Sequence, residues 1–164
     1  MPRYHIYSRC CFTPKDQPNI HSVDMMMAYV NIFKPSTVEL PVELLLPQLE
    51  ENLWGDFSPM DVVNHPTKKK YAGHIKRIRD ADLSFPIFVT GEHNIIDGAH
   101  RISKALLLNK KTISAHIFTP ALMKKFIIHK GFTEDGKIDE EGAQDLRLSE
   151  AFTLFYKRFG TGKM

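Results

Sequence analysis

The sequence predicts a small α+β fold, a single domain in which a mixed sheet is packed by helices and closed by a C-terminal helix. Three observations lead there. Residues 86–90 and 112–118 are short runs of continuous or alternating hydrophobicity, the pattern of strands. Between them, Ile102, Ala105 and Leu106 recur at helical spacing, as on a helix with one face against a sheet. Near the end of the chain, residues 144–159 place Leu146, Phe152, Leu154, Phe155 and Phe159 where a closing helix can use them for packing. The 164 residues suffice for one ordinary domain, and 43% hydrophobic with 25% charged residues is a globular composition.

Residues 1–35 read as an N-terminal extension. Segments 4–11 and 25–33 suit two strands of a hairpin around the loop between Pro14 and Pro18. Segment 25–33 equally suits a short buried helix, because periodicity does not decide between them. Residues 36–120 form the core of the reading, opening with a strand and turn over 37–46. Ser58, Pro59 and Asp61 then occupy the N-cap, N1 and N3 positions of a short helix. Pro66 separates it from a second helix over 67–80, which has an apolar stripe of Tyr71, Ile75 and Ile78.

A strand over 86–90, a hairpin loop over 91–94 and a return strand at Ile95 and Ile96 follow. The helix after the Asp97-Gly98 turn ends at Asn109, ahead of Lys110 and Lys111. A third strand covers 112–118, with His116 on its polar side in a structural role. Residues 121–164 form a C-terminal helical segment, entered through a polar loop over 131–142. The chain has no internal repeat and no low-complexity segment.

The segment 94–104, Asn-Ile-Ile-Asp-Gly-Ala-His-Arg-Ile-Ser-Lys, carries the most chemistry. A strand end, a tight turn and a helix start direct free backbone N–H groups and a positive dipole end at one spot, which attracts an anion, most often a phosphate. The N–H groups of Gly98, Ala99 and His100 would cradle it. His100 and Arg101 add side-chain donors. On the plainer reading Asp97 caps the helix, Gly98 makes the turn and both basic side chains are solvated.

This hairpin, basic turn, helix and strand resemble the ParB/sulfiredoxin superfamily, whose members share a strand, a short hydrophobic-Asp/Gly-Gly-x-His/Arg-Arg turn, a helix and a closing strand. The resemblance spans about residues 36–119, with 37–46 as the first strand, 67–80 as the preceding helix and 83–89 as the proline-led central strand. Ala99 stands where sulfiredoxins carry a reactive cysteine, which argues against sulfinic-acid reduction. The turn departs from the Gly-Glu-Arg-Arg of chromosome-partitioning ParB proteins. It is more similar to the Asp-Gly-His-His-Arg of archaeal free-serine kinases, with Ala99 in place of the first histidine.

The resemblance implies a nucleotide-phosphate site for ATP, ADP or CTP with Mg2+, serving an NTP hydrolase or a small-molecule or protein kinase. Arg101 would neutralise developing charge, and Asp97 would help hold Mg2+ through water. Glu50 or Glu51 would be the general base, near where the related kinases keep a carboxylate. As a plainer reading, the two acids form a solvated turn. Which nucleotide, which acceptor and which oligomeric state stay open.

The alternative is a DNA- or RNA-binding module without turnover. The net charge is only +3, but Lys68, Lys69, Lys70, His74, Lys76, Arg77 and Arg79 crowd one helix. Backbone phosphates would meet that surface through Lys68, Lys69, Lys70, Lys76 and Arg77. The ordinary reading is a solvated helix face. A third reading is a degenerate fold kept for protein contacts.

No apolar run approaches the ~20 residues that span a bilayer, so no membrane partner is expected. The first residues lack a secretory apolar core. The adjacent Cys10 and Cys11 suit neither a mutual bridge nor a metal spacing, and His5, His21, His65, His74, His93, His116 and His129 show no metal-ligand pattern. A reducing cytoplasmic location is expected, with a nuclear or viral-factory one left open.

Overall fold

The computed structural model describes residues 10–11, 19–130, 135 and 148–160. In chain order the strands and helices begin β1 (Cys10–Cys11), β2 (Asn19–Ser22), α1 (Val23–Phe33), β3 (Val38–Pro41) and α2 (Val42–Leu49). They continue with α3 (Pro59–Asn64), a 3-10 turn (Lys69–Tyr71), α4 (Ala72–Asp80), β4 (Ile87–Thr90), β5 (Ile95–Asp97), α5 (Ala99–Leu107) and β6 (Thr112–Phe118). The last are α6 (Pro120–Met123), a 3-10 turn (Lys124–Phe126), β7 (Ile127–Lys130) and α7 (Leu148–Phe159). The fold is a mixed α+β one with packed helices and a C-terminal helix.

The chain divides into two compact units, Ser36–Phe118 on the one hand and Met1–Pro35 with Thr119–Met164 on the other. The cause is strand pairing: β2 takes β1 and β7 as antiparallel neighbours, so the two chain ends build a sheet of their own.

In the Ser36–Phe118 unit the sheet order is β3-β6-β4-β5. β6 runs antiparallel to β3 and parallel to β4, while β4 and β5 form an antiparallel hairpin. Leu40, Ile87, Val89, Ile113 and Ala115 join Val42, Leu45 and Leu49 of α2 and Ile102 and Ala105 of α5 in one buried core. The sequence reading ended the first strand in a turn, but α2 forms there because Val42, Leu45 and Leu49 fall on one helical face. Pro47 lies inside α2 on its exposed side. A smaller cluster of Val62, Tyr71 and Ile78, edged by Trp54, Phe57 and Ile75, holds α3 and α4 together.

Helix ends follow local rules. Ser58 and Asp61 exchange bonds of 3.0 and 2.9 Å in a capping box at the start of α3. After α5, Asn109 adopts φ 56°, and the bonds Asn109 N–H to Leu106 O (3.0 Å) and Lys110 N–H to Ala105 O (2.9 Å) make a Schellman end. His116 is buried, not on a polar face, because β6 is an interior strand whose two faces are not divided into wet and dry.

In the other unit, residues 25–33 are helical rather than extended. Ser22 caps α1 by accepting from the Met25 N–H at 3.2 Å, and Val23, Met25 and Met26 are buried. Tyr29, Phe33, Phe126, Phe155 and Phe159 form an aromatic cluster between α1, the second 3-10 turn and α7. Phe152, expected to be available for packing, is exposed. Residues 4–9, the loop around Pro14, most of 131–142 and Leu146 lie outside the described residues. Among the described residues no helix is long and apolar enough to cross a membrane.

Candidate functional site

The turn from β5 into α5 depends on Gly98. Its φ is +121°, and a Cβ there would lie 2.5 Å from Ile87 Cγ2 and 2.9 Å from Ile87 Cβ. Only glycine combines that backbone angle with so close an approach to β4. Gly98 is the N-cap of α5, and its carbonyl accepts the first helical bond from Ile102 N–H at 2.9 Å. No side chain caps the helix.

Asp97 therefore does not cap α5, as the plainer sequence reading had it. It ends β5, and its Oδ2 accepts from Arg101 Nη2 at 2.8 Å. Arg101, expected to be exposed and free for phosphate, is 17% exposed and turned back on the protein. Its Nη1 donates to the carbonyls of Phe85 (3.0 Å) and Pro86 (2.6 Å). The guanidinium thus ties the start of β4 to the end of β5. A cation at Asp97 would compete with this ion pair, and among the described residues no group of three or more His, Cys, Asp or Glu could hold a metal ion. Asp97 alone is a poor fit to Mg2+.

His100 turns the other way, into an aromatic cluster that the sequence reading missed. Its ring lies on Trp54 with centroids 4.4 Å apart and planes 17° apart. The His74 ring, from α4, lies on Trp54 at 4.2 Å and 7°. The two imidazole centroids are only 5.2 Å apart, so both rings share one face of the indole. Their planes differ by 12°, and His74 Nδ1 and His100 Nε2 are 3.0 Å apart. One nitrogen donates and the other accepts.

Phe57 closes the cluster, edge-on to His74 (5.4 Å) and against Tyr71 (4.8 Å). The turn that presents Trp54 relies on Gly55 at φ +90° and a 3.3 Å bond from Trp54 N–H to Phe57 O. The signal in the sequence was only that Trp54, the single tryptophan, precedes an Asp-Phe-Ser-Pro helix start.

This surrounding keeps the pair neutral. Burial first, then the charges of His74, Arg77 and Arg101, push His100 down to about 4, against an upward pull from Asp97. Burial and then Arg77 hold His74 below the ordinary histidine range. The neighbourhood is thus electropositive as well as partly dry.

Arg77 acts on the pair through its charge. Glu50 is the C-cap of α2, and both it and Glu51 are exposed. Lys68, Lys69, Lys70, Lys76 and Arg77 are exposed too, with the Lys68 and Lys70 ammonium groups 5.9 and 5.1 Å from the Tyr71 ring centroid. Lys104 caps α4, donating to the carbonyls of Arg79 (2.8 Å) and Ala81 (2.6 Å). Ala99 begins α5 beside Gly98, so the backbone of Gly98, Ala99 and His100 is brought together with the His100 side chain. Comparison with protein-family models, with curated proteins and with solved structures gives no significant match.

Proposed function

We propose that the Ser36–Phe118 unit binds the phosphate end of a nucleotide at the start of α5. The observation that carries this reading is a helix whose first turn has no capping side chain, at a glycine turn beside His100 and Arg77. Arg101 contributes by shaping the turn and adding positive charge, rather than by a bidentate grip on phosphate. The succession of strand, helices, hairpin, basic turn, helix and strand supports kinship with the ParB/sulfiredoxin superfamily. Hydrolysis or phosphotransfer fits that kinship, because such chemistry needs mainly positioning and electrostatics.

A thermal-shift panel of ATP, ADP and CTP with and without Mg2+, followed by a product assay, tests the reading. Stabilisation by at least one nucleotide, lost on replacing its phosphates by hydroxyl, is the expected result. No shift with any of them refutes it.

The exposed Lys68, Lys69, Lys70, Lys76 and Arg77 favour nucleic-acid backbone as a second reading. Replacing Lys68, Lys69 and Lys70 together by Gln should then flatten the salt dependence of DNA or RNA binding and weaken it equally across sequences. No binding at low salt reduces the patch to a solvated face.

A further inference from the structure

The linked imidazoles have a property that neither ring has alone. With His74 Nδ1 facing His100 Nε2 at 3.0 Å, a single proton serves both nitrogens. A proton added at the outer nitrogen of one ring can therefore leave from the outer nitrogen of the other. The indole of Trp54, 4.2 and 4.4 Å away, stacks on both rings, whose planes differ by 12°. Both rings are half-buried. As a purely structural contact the bond gains little: a neutral N–H···N bond contributes about 1 kcal/mol, which an apolar pair in the same stack would match.

We propose that His74 and His100 form a proton-transfer pair for hydrolysis of the terminal phosphoanhydride of a nucleotide held at the start of α5, with His100 as general base. This rests on the phosphate-site reading above. In the active tautomer, His100 donates from Nε2 to His74 Nδ1 and leaves its own Nδ1 open as acceptor. Water oxygen forms the new bond to the terminal phosphorus. The bridging P–O bond breaks, and its electron pair leaves with the departing phosphate chain. The water proton passes to His100 Nδ1, the Nε2 proton passes to His74 Nδ1, and the His74 Nε2 proton goes to solvent.

His100 is the catalytic residue and His74 the positioning one, acting through it. The charges facing the pair are Arg77 from α4, Asp97 from the end of β5 and Arg101 from the first turn of α5. From the turn before α3 it meets the Trp54 and Phe57 rings. The acid of α3, Asp61, is engaged by its own Ser58 cap. The net positive surroundings favour the neutral pair, the form in which His100 Nδ1 can accept, and passing the proton on through His74 is what lets so weakly basic a ring serve.

The test combines phosphate release from ATP and CTP with calorimetric nucleotide affinity, for wild type, His100→Asn and His74→Asn. His100→Asn should lose on the order of 100- to 10,000-fold in kcat, with a far smaller change in affinity. His74→Asn should lose less and move the acid limb of the pH profile upward, because the His74 charge that lowers His100 is gone. On wild type, a proton inventory in mixed light and heavy water should curve, since more than one proton moves in the step.

Nucleotide binding with no turnover by wild type overturns this inference and leaves the phosphate site standing. Full turnover in both variants, or a linear inventory, does the same. Absence of nucleotide binding overturns both.

Discussion

Arg101→Ala should unfold the junction that the sequence alone would have left untouched. The guanidinium makes an ion pair with Asp97 at 2.8 Å and two bonds to the carbonyls of Phe85 and Pro86 at 3.0 and 2.6 Å. A hydrogen bond to a charged group contributes about 1.5–3 kcal/mol where water is excluded. Water reaches part of this cluster: Asp97 is 31% exposed and Phe85 64% exposed. The loss is therefore well short of the full sum, about 2–3 kcal/mol. For a chain of this length that lowers Tm by roughly 4–12 °C. Arg101→Lys keeps the charge but lacks the fork that reaches three acceptors, so it should recover less than half of the loss. Calorimetric or circular-dichroism melting measures both. A Tm within about 1 °C of wild type for Arg101→Ala, or full rescue by lysine, would show the side chain to be free and the account of the turn wrong.

Gly98→Ala combines a φ of +121° with a Cβ 2.5 Å from Ile87 Cγ2, so it should cost about 3 kcal/mol or more and strip folded protein from expression trials. Ser58→Ala removes the capping-box acceptor of α3 and should cost about 1 kcal/mol by urea titration. The sign of the pH effect follows from His100, which titrates at 6.5 unfolded and at about 4 folded. The unfolded chain binds the proton first, so stability is intact above pH 6.5 and declines as pH falls toward 4, by on the order of 2 kcal/mol after allowance for solvent screening. His100→Asn should flatten that slope between pH 6.5 and 4, and an unchanged slope refutes the assignment.

Features set by neighbouring residues were legible from sequence. The Ser58 cap with Pro59 and Asp61, the hairpin around residues 91–94, and the α5 end at Asn109 all depend on contacts a few residues apart. The helix at 23–33 was undecided because a short apolar run packs equally well in either form, and the Ser22 cap decides it.

What escaped depends on segments far apart in the chain. Arg101 looked free because its acceptors at Phe85 and Pro86 reach it only when β4 lies beside the turn. His74 and His100 are separated by 26 positions, and Trp54 comes from a third segment, so no local pattern announces their stack. The string at 97–101 drew attention to this turn, but tertiary contacts assign Asp97 and Arg101 to holding its shape.

The most direct measurement of the central claim is a nitrogen-15 correlation spectrum of the protein titrated with ATP, ADP and CTP. The backbone amides of Gly98, Ala99 and His100 should shift together and saturate with one affinity, and the Trp54 indole N–H should respond through its stack with His100. A nucleotide that saturates the protein while those amides stay in place, or a spectrum unmoved by all of them, would contradict the claim.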